Sequence, residues 1–397
     1  MFVTCESVTK GHPDKFCDQV SDAVLDFIIS RDPTAHVAVE TMATNGHIIL
    51  AGEVTTTVKM DDSIYKDIVK KVIKDVGYKI EDLTSTYYDI DVYIHQQSPE
   101  IDQGVSQEDG IIGAGDQGIM YGYATNLYDM ENIYLPIPYV LATKITKRLE
   151  EDVELIDRLG LRADGKSQVT MDYVDDTHAN VTAVVVSCQY TPVEGEDPNT
   201  THYRVSEGLS KMVMEVLSEY GYQEDHPDIY INPTGAFTMG GPACDTGLTG
   251  RKLAVDTYGG VAHHGGGALS GKDPTKVDRS GAYAARHVAK TIVAAGICST
   301  CEVSISYAIG RAKPIHINVD SFGELNAIEE HVLAKLVAEI FDLTPAGIIN
   351  ELSLRSIKYQ STAHGGHFTG DYPWEDVSKS AILRDRYDHV RMLTYGI

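Results

Sequence analysis

Positive charge is scarce in this chain. Its 397 residues hold 33 Lys and Arg against 58 Asp and Glu, a formal net charge of −25. Nucleic acids and anionic membrane surfaces are bound by clustered cations, so neither is an expected partner. The deficit also weighs against a polyanionic ligand, although charge acts locally and a basic site can sit in an acidic chain. Cysteine is sparse too: six residues, at 5, 17, 188, 244, 298 and 301, irregularly spaced. That usage suits a reducing compartment rather than a disulfide framework. Cys298 and Cys301 form a lone CxxC with no second pair and read as core thiols, not metal ligands. No run of about 18 apolar residues exists, so no membrane-spanning helix is expected. The first stretch, MFVTCESVTKGHPDK, lacks a basic start followed by an apolar run. No signal peptide is expected, and the cytoplasm is the expected location.

What is present is ordinary for a globular protein: 43% hydrophobic and 23% charged residues. The length predicts two or three domains and ample core without staples. A first block, 1–99, opens with helical spacing at Phe16, Val20, Val24, Phe27 and Ile28. Strand-like runs follow at 36–43, 47–58 and 87–97, with a helix at 62–76 stopped by Gly77. A Gly- and Asp-rich stretch at 98–118 then breaks all patterning. It exceeds an ordinary connector, and 100–113 reads as a mobile lid. The second block, 114–234, shows helices at 136–151 and 203–219 and strands at 167–174, 179–190 and 228–231. The third, 235–397, has a Gly-rich start, a helix at 280–295, strands at 301–309 and 315–322, a helix at 325–340 and an irregular tail. Strand–strand steps are frequent, which is α+β grammar, and three comparable blocks point to internal threefold repetition.

The chemistry concentrates in GGVAHHGGGALSGKDPTKVDRS (259–280). Gly266–Lys272 fits G-x-x-x-x-G-K, but Asp273 stands where a phosphate loop needs Ser or Thr, and no buried strand precedes it. This is no P-loop. Its physical logic survives, because glycines let backbone N–H groups approach an anion and the lysine supplies charge. Arg251, Lys252, Lys272, Lys276 and Arg279 gather around it. From 251 to 290 there are seven Lys/Arg against three Asp, so a +4 stretch sits in a remainder of −29. A solvated helix face accounts for Arg286 and Lys290; a polyphosphate site accounts better for Lys272 and Lys276. In ESVTKGHPDKFCD, His12, Asp14, Lys15 and Asp18 crowd the start of a helix, where an Asp can also be a simple cap. GAGDQG places Asp116 among glycines. Glu40 and Glu53 look like solvent-facing strand residues. His263, His364 and His367 lack the partners a zinc site needs.

Together these segments resemble the S-adenosylmethionine synthetases. The matching stretches include ESVTKGHPDK, GEVTT, QQSPEIDQGV, GAGDQGIMYGYAT, INPTGAF, GGPACDTGLTGRKLAVDTYGG and HGGGALSGKDPTKVDRSGAYAARHVAK. They run to about residue 314 and thin out in the tail, where HFTGDYPWE still matches. The resemblance implies three similar α+β domains in a pseudo-threefold arrangement. It implies attack of the methionine sulfur on C5′ of ATP, with the triphosphate released and hydrolysed. A thioether has no proton to lose, so that step needs alignment and leaving-group stabilisation rather than a general base.

By the same resemblance, the catalytic set is His12, Lys166, Arg251, Lys272 and Lys276. ATP would be held by His12, Asp164, Gly165, Lys166, Ala236, Phe237, Asp245, Arg251, Lys252, Ala268 and Lys272, with Phe237 stacking on adenine. Methionine would meet Glu53, Gln97, Asp116, Asp245 and Lys276. Asp14 and Asp278 would bind two Mg²⁺ per site, carboxylates being the hard ligands Mg²⁺ prefers, and Glu40 one K⁺. A homodimer with active sites at its interface, pairing into a dimer of dimers, is implied as well. Two positions depart from the pattern: Ala236 stands where many members have Arg, and Gly165 where Ala is usual. Rival readings are an ATP-dependent phosphotransferase or ligase using the same basic loop, and a nucleotide-binding protein without turnover.

Overall fold

One order of elements runs twice in full along the chain and a third time without its closing strand. The computed structural model describes residues 1–96, 113–175 and 178–395. Strand β1 (Phe2–Val8) leads to helix α1 (Pro13–Ile29), the hairpin β2 (His36–Thr44) and β3 (His47–Thr55), helix α2 (Asp62–Val76) and β4 (Asp89–His95). Then come β5 (Gly118–Thr125), α3 (Ile137–Glu151), β6 (Leu161–Tyr173), β7 (Ala179–Tyr190), α4 (Pro198–Glu219) and β8 (Asp228–Ile231). The third round is β9 (Gly247–Leu248), α5 (Val277–Ala294), β10 (Thr300–Tyr307), β11 (His316–Asp320) and α6 (Ala327–Ile340), before a closing helix α7 (Ser380–Tyr395).

The repeats are knitted by exchange of their first strands. Sheet orders are β9-β2-β3-β4, β1-β6-β7-β8 and β5-β10-β11. The first repeat therefore gives β1 to the second, the second gives β5 to the third, and the third gives β9 back to the first. Each hairpin is antiparallel, while β4 and β8 return parallel to the second hairpin strand after a helical crossover. Each leading helix lies on its own hairpin and on the strand its sheet receives: α1 on β2 and β9, α3 on β6 and β1, α5 on β10 and β5. The strands β1 and β5 escape sequence reading for this reason, since their partners lie in another block and no hairpin signal flanks them. The tail is partly helical, in α7.

Local chemistry explains the helix ends. Asp61 accepts hydrogen bonds from the N–H groups of Ser63 and Ile64 at the start of α2, and Gly77 takes the left-handed conformation at its end. The α2 stripe Tyr65, Val69, Val72, Ile73 and Val76 is buried. By contrast, α1 and α5 are buried on nearly every side, polar residues included. Their charges are matched accordingly. Lys15 donates to Asp18 at 3.0 Å and also to Asp256. Arg279 grips both oxygens of Asp22 at 2.6 and 2.9 Å. Arg286 grips Glu375 at 2.9 and 2.7 Å and donates to the carbonyls of Tyr123, Tyr134 and Ile133, while Lys290 reaches Glu375 at 2.9 Å. The expectation of a solvated face for Arg286 and Lys290 is therefore corrected: both are buried. Cys298 and Cys301 are buried thiols, and His367 lies in the core, its Nδ1 2.8 Å from the Tyr283 hydroxyl.

Candidate active site

The free edge of β2 organises the basic segments. At one end Leu248 and Gly247 pair with Met42 and Ala43, and the Thr249 N–H donates to the Thr41 carbonyl at 3.0 Å. At the other, the Val39 N–H donates to the Gly271 carbonyl at 2.9 Å and the Asp273 N–H to the Val37 carbonyl at 3.0 Å, with Lys272 opposite Ala38. One strand edge thus brings Arg251 and Lys252 into line with Lys272 and Lys276. Asp273, the residue that ruled out a P-loop, is the clamp. Its buried carboxylate accepts from the Val37 N–H at 2.8 Å, the Thr275 N–H at 2.9 Å and Lys276. Burial works to raise its pKa, but Lys276 and these hydrogen bonds hold it below the ordinary value.

The first cluster forms where α1 begins. His12 is the N-cap; its Nδ1 accepts the Asp14 N–H at 3.2 Å, which puts the ring proton on Nε2. Burial, and then the charge of Lys252, push His12 down to about 3, so the ring is neutral. Asp14 accepts from the Leu248 N–H at 2.9 Å and from Lys252 at 2.6 Å, with Arg251 3.6 Å away. Burial opposes its ionisation, yet the Lys252 hydrogen bond keeps its pKa below the usual range. Lys166, exposed on β6 opposite Val8, adds its field to His12. The loop before His12 passes so close to β6 that a Cβ on Gly11 would lie 2.4 Å from the Ala163 carbonyl oxygen. Only glycine fits there.

The second cluster holds Lys272 and Asp278, 2.6 Å apart. Lys272 also opens onto a cleft of about 340 Å³ that it lines with Ser270, Glu40, Glu53 and His95. His95, missed by sequence reading, has its Nε2 3.4 Å from Glu53. Asp164 is buried beside Gly241, whose N–H it accepts at 2.9 Å, and its other oxygen has no hydrogen-bond partner among the described residues. Burial raises its pKa to about 6. Phe237 is half-buried, while Ala236, Asp245 and Asp116 are exposed. A Cβ on Gly250 would crowd that of Ala268 at 2.5 Å, so the Arg251 turn and the Gly-rich loop touch. Gln97, and all of the expected lid except Gly113, lie outside the described residues. One basic residue does not join the site: Arg279 faces the core, locked to Asp22.

Fold and site define an α+β protein of three strand-exchanged repeats, with partly exposed cations paired to carboxylates along the seam between the first and the third. Residues 1–99, 111–237 and 239–376 match, respectively, the N-terminal, central and C-terminal domains of S-adenosylmethionine synthetase. The chain is 45% identical over 392 residues to the S-adenosylmethionine synthase of a Nitratiruptor species, covering 96% of this chain and 97% of that one. It is 46% identical over 401 residues to that of Desulforudis audaxviator, covering 96% and 97%. Against that of Sorangium cellulosum the identity is 44% over 389 residues, covering 96% and 89%. The chain belongs to the S-adenosylmethionine synthetase family.

Proposed function

We infer that the chain makes S-adenosylmethionine from ATP and L-methionine, releasing phosphate and pyrophosphate. The observation that carries this reading is the row of partly exposed cations, Arg251, Lys252, Lys272 and Lys276, set beside a neutral histidine. The sulfur attacks C5′, and the bond to the triphosphate oxygen breaks as the sulfonium forms. His12 keeps its proton on Nε2, where it can donate to the departing oxygen without titrating. Lys166, Arg251, Lys252 and Lys272 neutralise the growing charge of the leaving group. Lys276 and Glu53 face the methionine side with Asp116 and Asp245, and Phe237 offers a ring to adenine.

The residues fit magnesium. Asp14 and Asp278 are single carboxylates, and no three His, Cys, Asp or Glu gather into a cage among the described residues. Mg²⁺ takes one or two carboxylates and completes its shell with water and substrate phosphates. Each carboxylate now accepts from a lysine, Lys252 or Lys272, which can turn to a phosphate oxygen instead. Two Mg²⁺ held there would supply positive charge to the triphosphate, and Glu40 would hold one K⁺.

The outward faces of the sheets support self-association. Glu40, Glu53 and His95 share a face of the first sheet with Tyr93, which is 65% exposed. A second copy packed there would close the cleft, giving a homodimer with interfacial sites, paired further into a tetramer. The domains run 1–99, 114–234 and 235–397, with 100–113 as a lid. No helix of the described residues is long and apolar enough to cross a membrane, and the cytoplasm suits the free thiols. The test is to incubate the chain with ATP, methionine, Mg²⁺ and K⁺ and identify products by mass spectrometry. A sulfonium product with pyrophosphate and phosphate is expected; ADP without a sulfonium would overturn the reading. Binding of ATP without turnover would leave a nucleotide-binding protein.

A further inference from the structure

A second cavity, of about 250 Å³, shares no lining residue with the Glu53 cleft. Helix α3 forms one wall with Val140, Lys147 and Glu150, and the loop from His364 to Gly370 forms the other. Ile133 and Leu135 make part of the lining apolar.

The charges on its walls are unevenly matched. Lys144 meets Glu131 at 3.0 Å, and Lys147 lies 3.9 Å from Glu151. Burial pushes His364 down to about 4, so it contributes no positive charge. Glu150 has no cation within salt-bridge distance among the described residues. Its Oε1 accepts the backbone N–H of Lys10, and its Oε2 has no hydrogen-bond partner among them. Burial raises its pKa to about 7, with the Lys10 N–H as the largest opposing influence.

Lys10 begins the turn that delivers His12. The Lys10 carbonyl accepts from Gln19 at 2.7 Å, the Gly11 carbonyl from the Tyr78 hydroxyl at 2.6 Å, and the His12 N–H donates to the Thr9 carbonyl at 3.0 Å. The partner of the Lys10 N–H, Glu150, also lines this cavity.

We propose that this cavity binds a small organic cation, a primary amine on an apolar body, which rests its ammonium on Glu150 and so steadies the loop that carries His12. The volume of about 250 Å³ admits about eight non-hydrogen atoms at roughly 30 Å³ each, the share of a water in the liquid. An ammonium on Oε2 keeps the carboxylate ionised, and an ionised acceptor strengthens the Lys10 bond. The proposal rests on the preceding reading only for what His12 does, and its test needs no substrate.

The full chain, without ATP or methionine, is titrated calorimetrically with 2-phenylethylamine and with neutral 2-phenylethanol. The amine should bind saturably and at least tenfold more tightly than the alcohol. Glu150→Gln should weaken it tenfold or more. So should Lys147→Trp, which fills the mouth and leaves turnover unchanged; this variant decides the matter if the first does not fold. In hydrogen exchange, the amides of residues 10–12 should slow on amine binding. Equal binding of amine and alcohol, binding that survives Lys147→Trp, displacement by ATP plus methionine, or unchanged exchange at 10–12 would each overturn the proposal.

Discussion

Two kinds of cation occupy the single stretch from 251 to 290. Lys252, Lys272 and Lys276 keep 19–20% of their side chains exposed, and each meets one carboxylate. Arg279 and Arg286 are 0% exposed and grip their carboxylates with two nitrogens apiece. The residue types are alike, yet burial divides them. A sealed, bidentate pair has no alternative partner, so it fixes how α1, α5 and the C-terminal segment sit together. A partly exposed lysine can exchange its carboxylate for a phosphate. The +4 read from the sequence thus overstates the site: three of its seven cations are spent on carboxylates outside the stretch, Arg279 on Asp22 and Arg286 and Lys290 together on Glu375.

That contrast can be broken by substitution. Arg279→Met strands Asp22 in the core and should cost about 3–5 kcal/mol of stability in denaturant unfolding. Adding Asp22→Leu should restore much of it; an unchanged unfolding midpoint in the single variant would remove the structural role. Lys272→Ala should do the reverse. Loss of one charge on a leaving group lowers kcat about 10²–10³-fold, while an exposed pair contributes only about 0–1 kcal/mol to stability. A variant with wild-type kcat refutes the assignment.

The strand exchange makes a prediction about boundaries. A fragment of residues 1–99 lacks β9 and the 271–273 segment, so the edge of β2 is left bare. Such edges template aggregation. The fragment alone should aggregate or stay unfolded by circular dichroism; a stable monomer would show that the exchange is dispensable.

His12 provides a pH test of intermediate size. Its folded pKa, about 3, lies below the unfolded value near 6.5. The unfolded chain therefore binds the proton more readily. The stability from a neutral His12 is complete above pH 6.5 and is lost as pH falls from 6.5 toward 3. Between pH 6.5 and 8 the ring stays neutral, so kcat should show no break from it. His12→Asn, a donor without a titration, should keep the shape of that profile; a break near 6.5 that the variant removes contradicts a neutral donor.

The smallest effect belongs to Gly165. An added Cβ there lies 3.2 Å from the Ser187 carbonyl and from Thr9, tight but relievable, so Gly165→Ala should change kcat less than about threefold. Gly11→Ala, which meets Ala163 at 2.4 Å, should abolish activity.

Sequence alone carried the hairpins, because each is local: β2–β3, β6–β7 and β10–β11 alternate and turn within one block. It also carried the end of α2, where Gly77 acts on its neighbours; the Asp61 cap at its start went unread. It missed β1 and β5, whose partners lie far along the chain, and the burial of Arg286, whose carboxylate is 89 residues away. The cations of the site were legible by type. Their division into wall and tool was not, since Asp22 and Glu375 look like ordinary surface acids until the chain is folded.

The most direct measurement follows one oxygen. ATP carrying ¹⁸O at the C5′ bridge is turned over with methionine, Mg²⁺ and K⁺, and the label is located by mass spectrometry. Attack at carbon sends the ¹⁸O into the phosphate products and leaves none in the adenosyl group. Label retained on the 5′ carbon of an adenosine nucleotide would mean attack at phosphorus, and would contradict the proposed reaction.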